Sequence, residues 1–181
     1  MCINGQIIME NAEISSAIIQ AIYRNDCFTL MKYLAKLQTK NDPMFAFLDC
    51  DKTKNNPQMI LPDNFVTLLH IAAAKNSLEC FCFLEENSKL SIYSKSAACY
   101  YPLHYSCLSG AAEVTFYILE KMSGNTNIVI EPPHPSNYSL IDLVVIDGNS
   151  DILNELFKYG AVLNKDKQYD TLLLAINKFH Y

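Results

Sequence analysis

The chain has 181 residues, of which 50% are apolar and 18% charged, and its net charge is −5. That composition is too apolar for disorder, which needs low hydrophobicity and high net charge, and no apolar run approaches the roughly 20 residues of a membrane-spanning helix. No Lys/Arg cluster is present, which argues against an electrostatic nucleic-acid stripe, against docking on an anionic membrane and, with the short apolar runs, against direct membrane insertion.

The start, "MCINGQIIMENAE", has no basic region followed by an apolar stretch, so no signal peptide is expected. The seven cysteines are scattered and odd in number. They are expected as reduced thiols and small core hydrophobes in an intracellular, cytoplasmic setting. Next comes a predicted helix pair over 12–38, "AIIQAIYRNDCFTLMKYLAKL", with a break at Asn25. An insertion, 39–64, follows. Its "PMFAFLDC" is too apolar for a plain linker and is expected to pack as an extra turn or short strand. A second pair is predicted over 65–98, "TLLHIAAAKNSLECFCFLEEN", and a third over 99–124, "YPLHYSCLSGAAEVTFYILEKM". A second insertion, 123–138, is stiffened by Pro132, Pro133 and Pro135. A fourth pair spans 137–164, and "DTLLLAIN" opens a half-unit over 168–181.

Anchored on Asn25, Asn76, Gly110 and Gly148, these segments align with spacings of 51, 34 and 38. Ile18, Leu69, Leu103 and Ile141 share one column, and Ala21, Ala72, Ser106 and Val144 another. Beyond the anchor come Thr29, Cys80, Val114 and Ile152, then Tyr33, Leu84, Ile118 and Leu156. Apolar residues at i and i+4 on both sides of a break predict two short amphipathic helices joined by a tight turn. The anchor column holds only Asn and Gly, the residues that best tolerate a left-handed backbone. On that reasoning Asn76→Gly is expected to be near neutral or mildly stabilising, whereas Gly110→Val is expected to destabilise by about 1 kcal/mol or more. Glu85 interrupts the column of Leu34, Leu119 and Phe157, so the second pair is expected to end its outer helix early.

The near-33 period and the Leu-His phrases "TLLHIAAAKN" and "YPLHYSCLSG" resemble the ankyrin repeat. The fourth unit has Asp142 where the His belongs, and the first keeps only the apolar columns. The resemblance implies an all-α ankyrin-repeat solenoid of helix-turn-helix units with hairpin-like connecting loops, forming one domain over 1–181. It also implies that His70 and His104 have structural roles, bonding to backbone in the neighbouring turn. The function it implies is a non-enzymatic protein–protein interaction scaffold or adaptor that presents a concave face and finger loops to a protein partner. The alternative is a regulatory or targeting arm of a larger enzyme or channel. Tyr93, Tyr100, Tyr101, His134 and Tyr138 fall in the finger loops and are the expected binding residues, since tyrosine gives large contact area at low entropic cost.

Other chemistry finds little purchase. A general base needs a partner at a fixed offset, and neither histidine has one. Cys99, His104 and Cys107, with Cys80 and Cys82, sketch a metal site but lack the close cysteine pairs that zinc sites use. "SGNTN" and "IDGNSD" have neither phosphate-loop nor calcium-loop spacing, and no cofactor is expected. On the outer helices Phe81, Phe83, Phe116 and Tyr117 must divide between core and surface. Leu172, Leu173, Leu174 and Ile176 in the half-unit form an apolar segment through which self-association is expected.

Overall fold

The computed structural model describes residues 3–38, 48–49, 65–88, 90–96, 99–122, 138–162, and residues 171, 173 and 176. Within them the protein is helical, with one two-residue strand pair. Helix α1 (Ile3–Tyr23) is followed by α2 (Cys27–Gln38), strands β1 (Leu48–Asp49) and β2 (Phe65–Val66), and then α3 (Leu68–Ala74) and α4 (Leu78–Asn87). The third pair is α5 (Pro102–Leu108) and α6 (Ala112–Lys121), and the fourth is α7 (Leu140–Asp147) and α8 (Ser150–Lys158). The apolar segment before β2 does contribute a short strand: Leu48 pairs with Val66 and Asp49 with Phe65, antiparallel. Helix α1 starts well ahead of residue 12, because no proline interrupts it and its one glycine, Gly5, lies in the first turn.

The pairs stack in two layers. α1, α3, α5 and α7 lie side by side in one, and α2, α4, α6 and α8 in the other. Each pair turns where the anchor column places it. Asn25, Asn76, Gly110 and Gly148 all have positive φ, at 52°, 54°, 64° and 87°. In the first three turns the residue after the anchor donates its N–H back to the carbonyl five positions earlier, as in Asp26 to Ala21, Ser77 to Ala72 and Ala111 to Ser106. This is the bond pattern that closes a helix on a left-handed residue.

The small-residue column lies in the heart of the stack: Ala21, Ala72, Ser106 and Val144 are all buried. Burial on the outer layer depends on the place of the pair. In α4 and α6 the predicted columns hold, with Cys80, Leu84, Val114 and Ile118 buried. In α2 they do not: Thr29 and Tyr33 are half-buried, and Leu30 and Leu34 take the core. In α8 the predicted Ile152 and Leu156 are buried, but Phe157 is exposed. The columns therefore face opposite neighbours. One face of each outer helix packs on the preceding pair and the adjacent face on the following pair, so an end helix buries only one of them. The early end expected for α4 does not occur. It runs ten residues, as α6 does. Glu85 is kept at its half-buried position by Tyr117 Oη (3.0 Å) and Lys121 Nζ (2.8 Å) from the next pair.

Candidate functional site

Two titratable groups of the inner layer are His70 and His104, each the third residue of its inner helix and each buried. His70 Nδ1 accepts from the Thr67 backbone N–H (3.2 Å) and lies 2.8 Å from its hydroxyl. Since Nδ1 accepts, Nε2 carries the proton, which it donates across the junction to the Tyr100 carbonyl at 3.1 Å. His104 repeats only the first half of this. Its Nδ1 accepts from the Tyr101 N–H at 3.3 Å, which leaves Nε2 as a buried donor without an acceptor. Burial, reinforced by the neighbouring His70 and opposed by the backbone bond at Tyr101, pulls the His104 pKa down to about 3. It is a neutral imidazole held away from water. In the fourth pair Asp142 replaces histidine and keeps both connections. One carboxylate oxygen accepts from the Ser139 N–H and hydroxyl, and the other from the Thr171 hydroxyl at 2.5 Å.

The anchor residues carry a second set of links that their conformational preference does not reveal. The N–H at the third position of an outer helix is one of the amides an isolated helix cannot satisfy. In α4 that amide, Cys80, bonds to Asn25 Oδ1 of the preceding pair; in α6, Val114 bonds to Asn76 Oδ1, both at 3.2 Å. In α2 and α8 the job is done locally, by Asp26 for Thr29 (2.9 Å) and by Asn149 for Ile152 (3.1 Å). The fourth pair must cap itself because the anchor before it is Gly110, which has no side chain to lend. Gly110 is glycine for a steric reason as well: the Asp147 carboxylate of the next pair occupies the space a Cβ would need.

The expected finger residues divide. Tyr93 is 42% exposed on a turn closed by Ser91 and Ser94, and Tyr138 is 51% exposed. Tyr100 and Tyr101 are each only 7% exposed, which corrects their assignment to an open finger. Tyr100 stacks beside His104 and Tyr105 (centroids 5.1 and 6.4 Å), and its hydroxyl accepts from the Tyr138 N–H. Tyr101 caps α5 and lies under Lys95. The sequence carries the signal for this, since Tyr100-Tyr101 occupy the places of Val66-Thr67 and so belong to the repeated phrase rather than to the connection. His134 lies outside the described residues, as do Leu172 and Leu174; Leu173 and Ile176 are exposed.

The two fully buried thiols behave as packing groups. Cys80 and Cys107 are fully buried and burial pushes both up to about 12, so neither is a nucleophile at neutral pH. Among the described residues no group of three or more His, Cys, Asp or Glu is placed to hold a metal ion, and no helix is long and apolar enough to cross a membrane. Inward-facing residues leave little open surface on the inner layer, where every residue of α3 is buried and so are Pro102 to Cys107 of α5. The large apolar side chains left exposed lie mostly on the outer layer and at the last pair: Phe28, Met31, Phe116 and Phe157, then Val162. Of the outer-helix aromatics, Phe81 is core, Phe83 and Tyr117 are half-buried and Phe116 is exposed. Comparison with known proteins gives no match to any family model and none among curated proteins.

Proposed function

We propose that this chain is a non-enzymatic protein–protein interaction scaffold, built as a solenoid of divergent ankyrin-like units. The observation that carries this reading is the use to which the motif's polar groups are put. His70, Asn25, Asn76 and Asp142 each join one helix pair to the next residues of the stack, and none is left facing solvent with a base or nucleophile beside it. A stack whose polar interior is devoted to joining its units offers an extended surface rather than a reaction centre. The exposed Tyr93 and Tyr138 are suited to contact a partner from the connections between units.

The test is capture from the native cell followed by reconstitution with purified components. A partner that binds the folded chain saturably, and not a Leu103→Asp variant whose stack is broken, is the expected result. A broad activity screen that yields a turnover signal lost in His104→Ala would overturn the scaffold reading in favour of an enzyme.

A further inference from the structure

The outer layer has an apolar strip where a helical surface facing water should be polar. Phe28 is 78%, Met31 45% and Phe116 38% exposed, and Phe83, Cys82 and Tyr117 lie half-buried between them. On helices this regular the positions are easily placed. Met31, Cys82 and Phe116 stand six residues after their anchors, and Phe83 and Tyr117 seven after theirs. These positions lie outward and lean into the furrows between adjacent outer helices, so together they form one continuous row across α2, α4 and α6. Tyr117 confirms the furrow, because its hydroxyl bonds to Glu85 on α4.

On α4 and α6 acidic residues flank the row on both sides, whereas α2 carries the exposed Lys32 and Lys36. Glu79 and Glu113 stand one turn before it, with Asp151 at the same place on the neighbouring α8, and Glu86 and Glu120 stand one turn after; all five are exposed. Among the described residues none of the five has an ion-pair partner, whereas Glu85 and Glu155 nearby are paired with Lys121 and Lys158. The first three lie in the opening turns of their helices, where the helix dipole favours a negative charge. Glu86 and Glu120 lie in closing turns, where the dipole disfavours one, so helix stability does not account for them. The two acidic rows are seven residues apart along the helices, or roughly 10 Å, which is about the diameter of an α-helix.

We propose that this outer face is a docking site for a cationic amphipathic helix of a partner protein, lying across α2, α4 and α6. Its apolar stripe seats on Met31, Phe83 and Phe116; where it crosses α4 and α6, Lys or Arg on either side of the stripe meets the two acidic rows, and its end over α2, beside Lys32 and Lys36, carries no positive charge. Three helices spaced by about 10 Å give a row of roughly 20 Å, which asks for about four turns of partner helix. This inference rests on the scaffold reading but commits to a different surface from the finger tyrosines.

The test uses the full chain and a fluorescein-labelled, amidated peptide of about 14 residues, with Leu on one helical face and Lys elsewhere except at one uncharged end. Two controls accompany it: the same residues scrambled, and the same pattern with Glu for Lys. Binding followed by anisotropy should be saturable, at least about tenfold tighter than for either control, and weakened by salt. The double variants Met31→Ser with Phe116→Ser, and Glu86→Lys with Glu120→Lys, should each weaken it about tenfold, while their circular dichroism and melting match the parent chain. Hydrogen exchange should show peptide-dependent protection on α2, α4 and α6. Scrambled peptide binding equally well, variants binding unchanged, no binding at all, or protection confined to the turns of Tyr93 and Tyr138 would each overturn the outer-face site. A natural partner that still binds both double variants would overturn it too, yet leave the scaffold reading intact.

Discussion

The junction between the second and third helix pairs and the one between the third and fourth are built from the same motif, and they are held together differently. Across the first, His70 reaches the Tyr100 carbonyl, Asn76 caps the Val114 amide, and Glu85 gathers Tyr117 and Lys121. Across the second, the Tyr138 N–H reaches the Tyr100 hydroxyl, but His104 Nε2 finds no acceptor, Gly110 has no side chain, and α8 is capped by its own Asn149. The apolar columns are equally buried on both sides, so hydrophobic stacking does not separate the two. Polar coupling does. In a stack where each unit touches only its neighbours, the weaker junction is where cooperativity should break first.

The sharpest way to break the comparison is to remove each histidine in turn. His70→Leu deletes the bond to Tyr100 and strands the buried Thr67 N–H, which should destabilise by about 3 kcal/mol. His104→Leu near pH 8 strands the Tyr101 N–H in the same way but removes an Nε2 donor that is already unpaired, so it should cost less, about 1–2 kcal/mol. Urea titrations of the two variants would measure this, and equal losses would mean that the two junctions are coupled alike.

The two left-handed glycines come next. Gly110→Ala and Gly160→Ala share the backbone strain of φ 64° and 88°, but only at Gly110 does the new Cβ meet the Asp147 carboxylate. The expected losses are about 1 kcal/mol at Gly160 and about 1.5 kcal/mol at Gly110, where the half-buried Asp147 carboxylate must also turn aside. The difference reports how tightly the third anchor is pressed against the fourth pair.

Acid should open the weaker junction. His104 is neutral when folded, with its pKa near 3, and returns to about 6.5 when unfolded. Below about 6.5 the unfolded chain takes up a proton that the folded chain refuses, so stability is full above that value and falls as the pH drops towards 3. The loss attributable to this one group is about 2 kcal/mol by about pH 5. It should be absent in His104→Leu, and melting curves of both proteins across that range would show it.

Much of the architecture is legible in the sequence, for reasons that are local. An Asn/Gly column marks left-handed turns because few other residues adopt them, and apolar or small residues seven and four positions before it and four and eight positions after it mark the buried faces. What escapes is set by neighbours. Thr29 and Tyr33 occupy core columns by spacing, yet lie half out of the core because no described helix pair packs on that side of α2. Tyr100 reads as an exposed loop residue from composition, but the backbone around it must deliver a carbonyl to His70, and this turns its ring inward. The outer strip is invisible as a motif, since Met31, Cys82 and Phe116 form a row only once the helices are set side by side.

The smallest expected effect separates two properties of one residue. If Asn76 served only to tolerate its φ of 54°, glycine would replace it at no loss and would relieve a little strain. The structure gives its side chain a second task, because Oδ1 holds the Val114 amide at 3.2 Å across the junction. Ala111, the residue before α6, has no side chain able to take over that bond. Losing a helix cap costs about 1 kcal/mol, and the relief of a left-handed asparagine returns only a few tenths, so Asn76→Gly should destabilise by about 0.5–1 kcal/mol. Asn149→Ala removes the equivalent bond within α8 and should lose about 1 kcal/mol without altering the coupling between pairs. A double-mutant cycle with His70→Leu distinguishes them: Asn76→Gly acts on the same junction and should be non-additive with it, whereas Asn149→Ala should add. Additivity in both cycles would show that the Asn76 side chain contributes nothing across the junction and that its backbone conformation alone explains its presence.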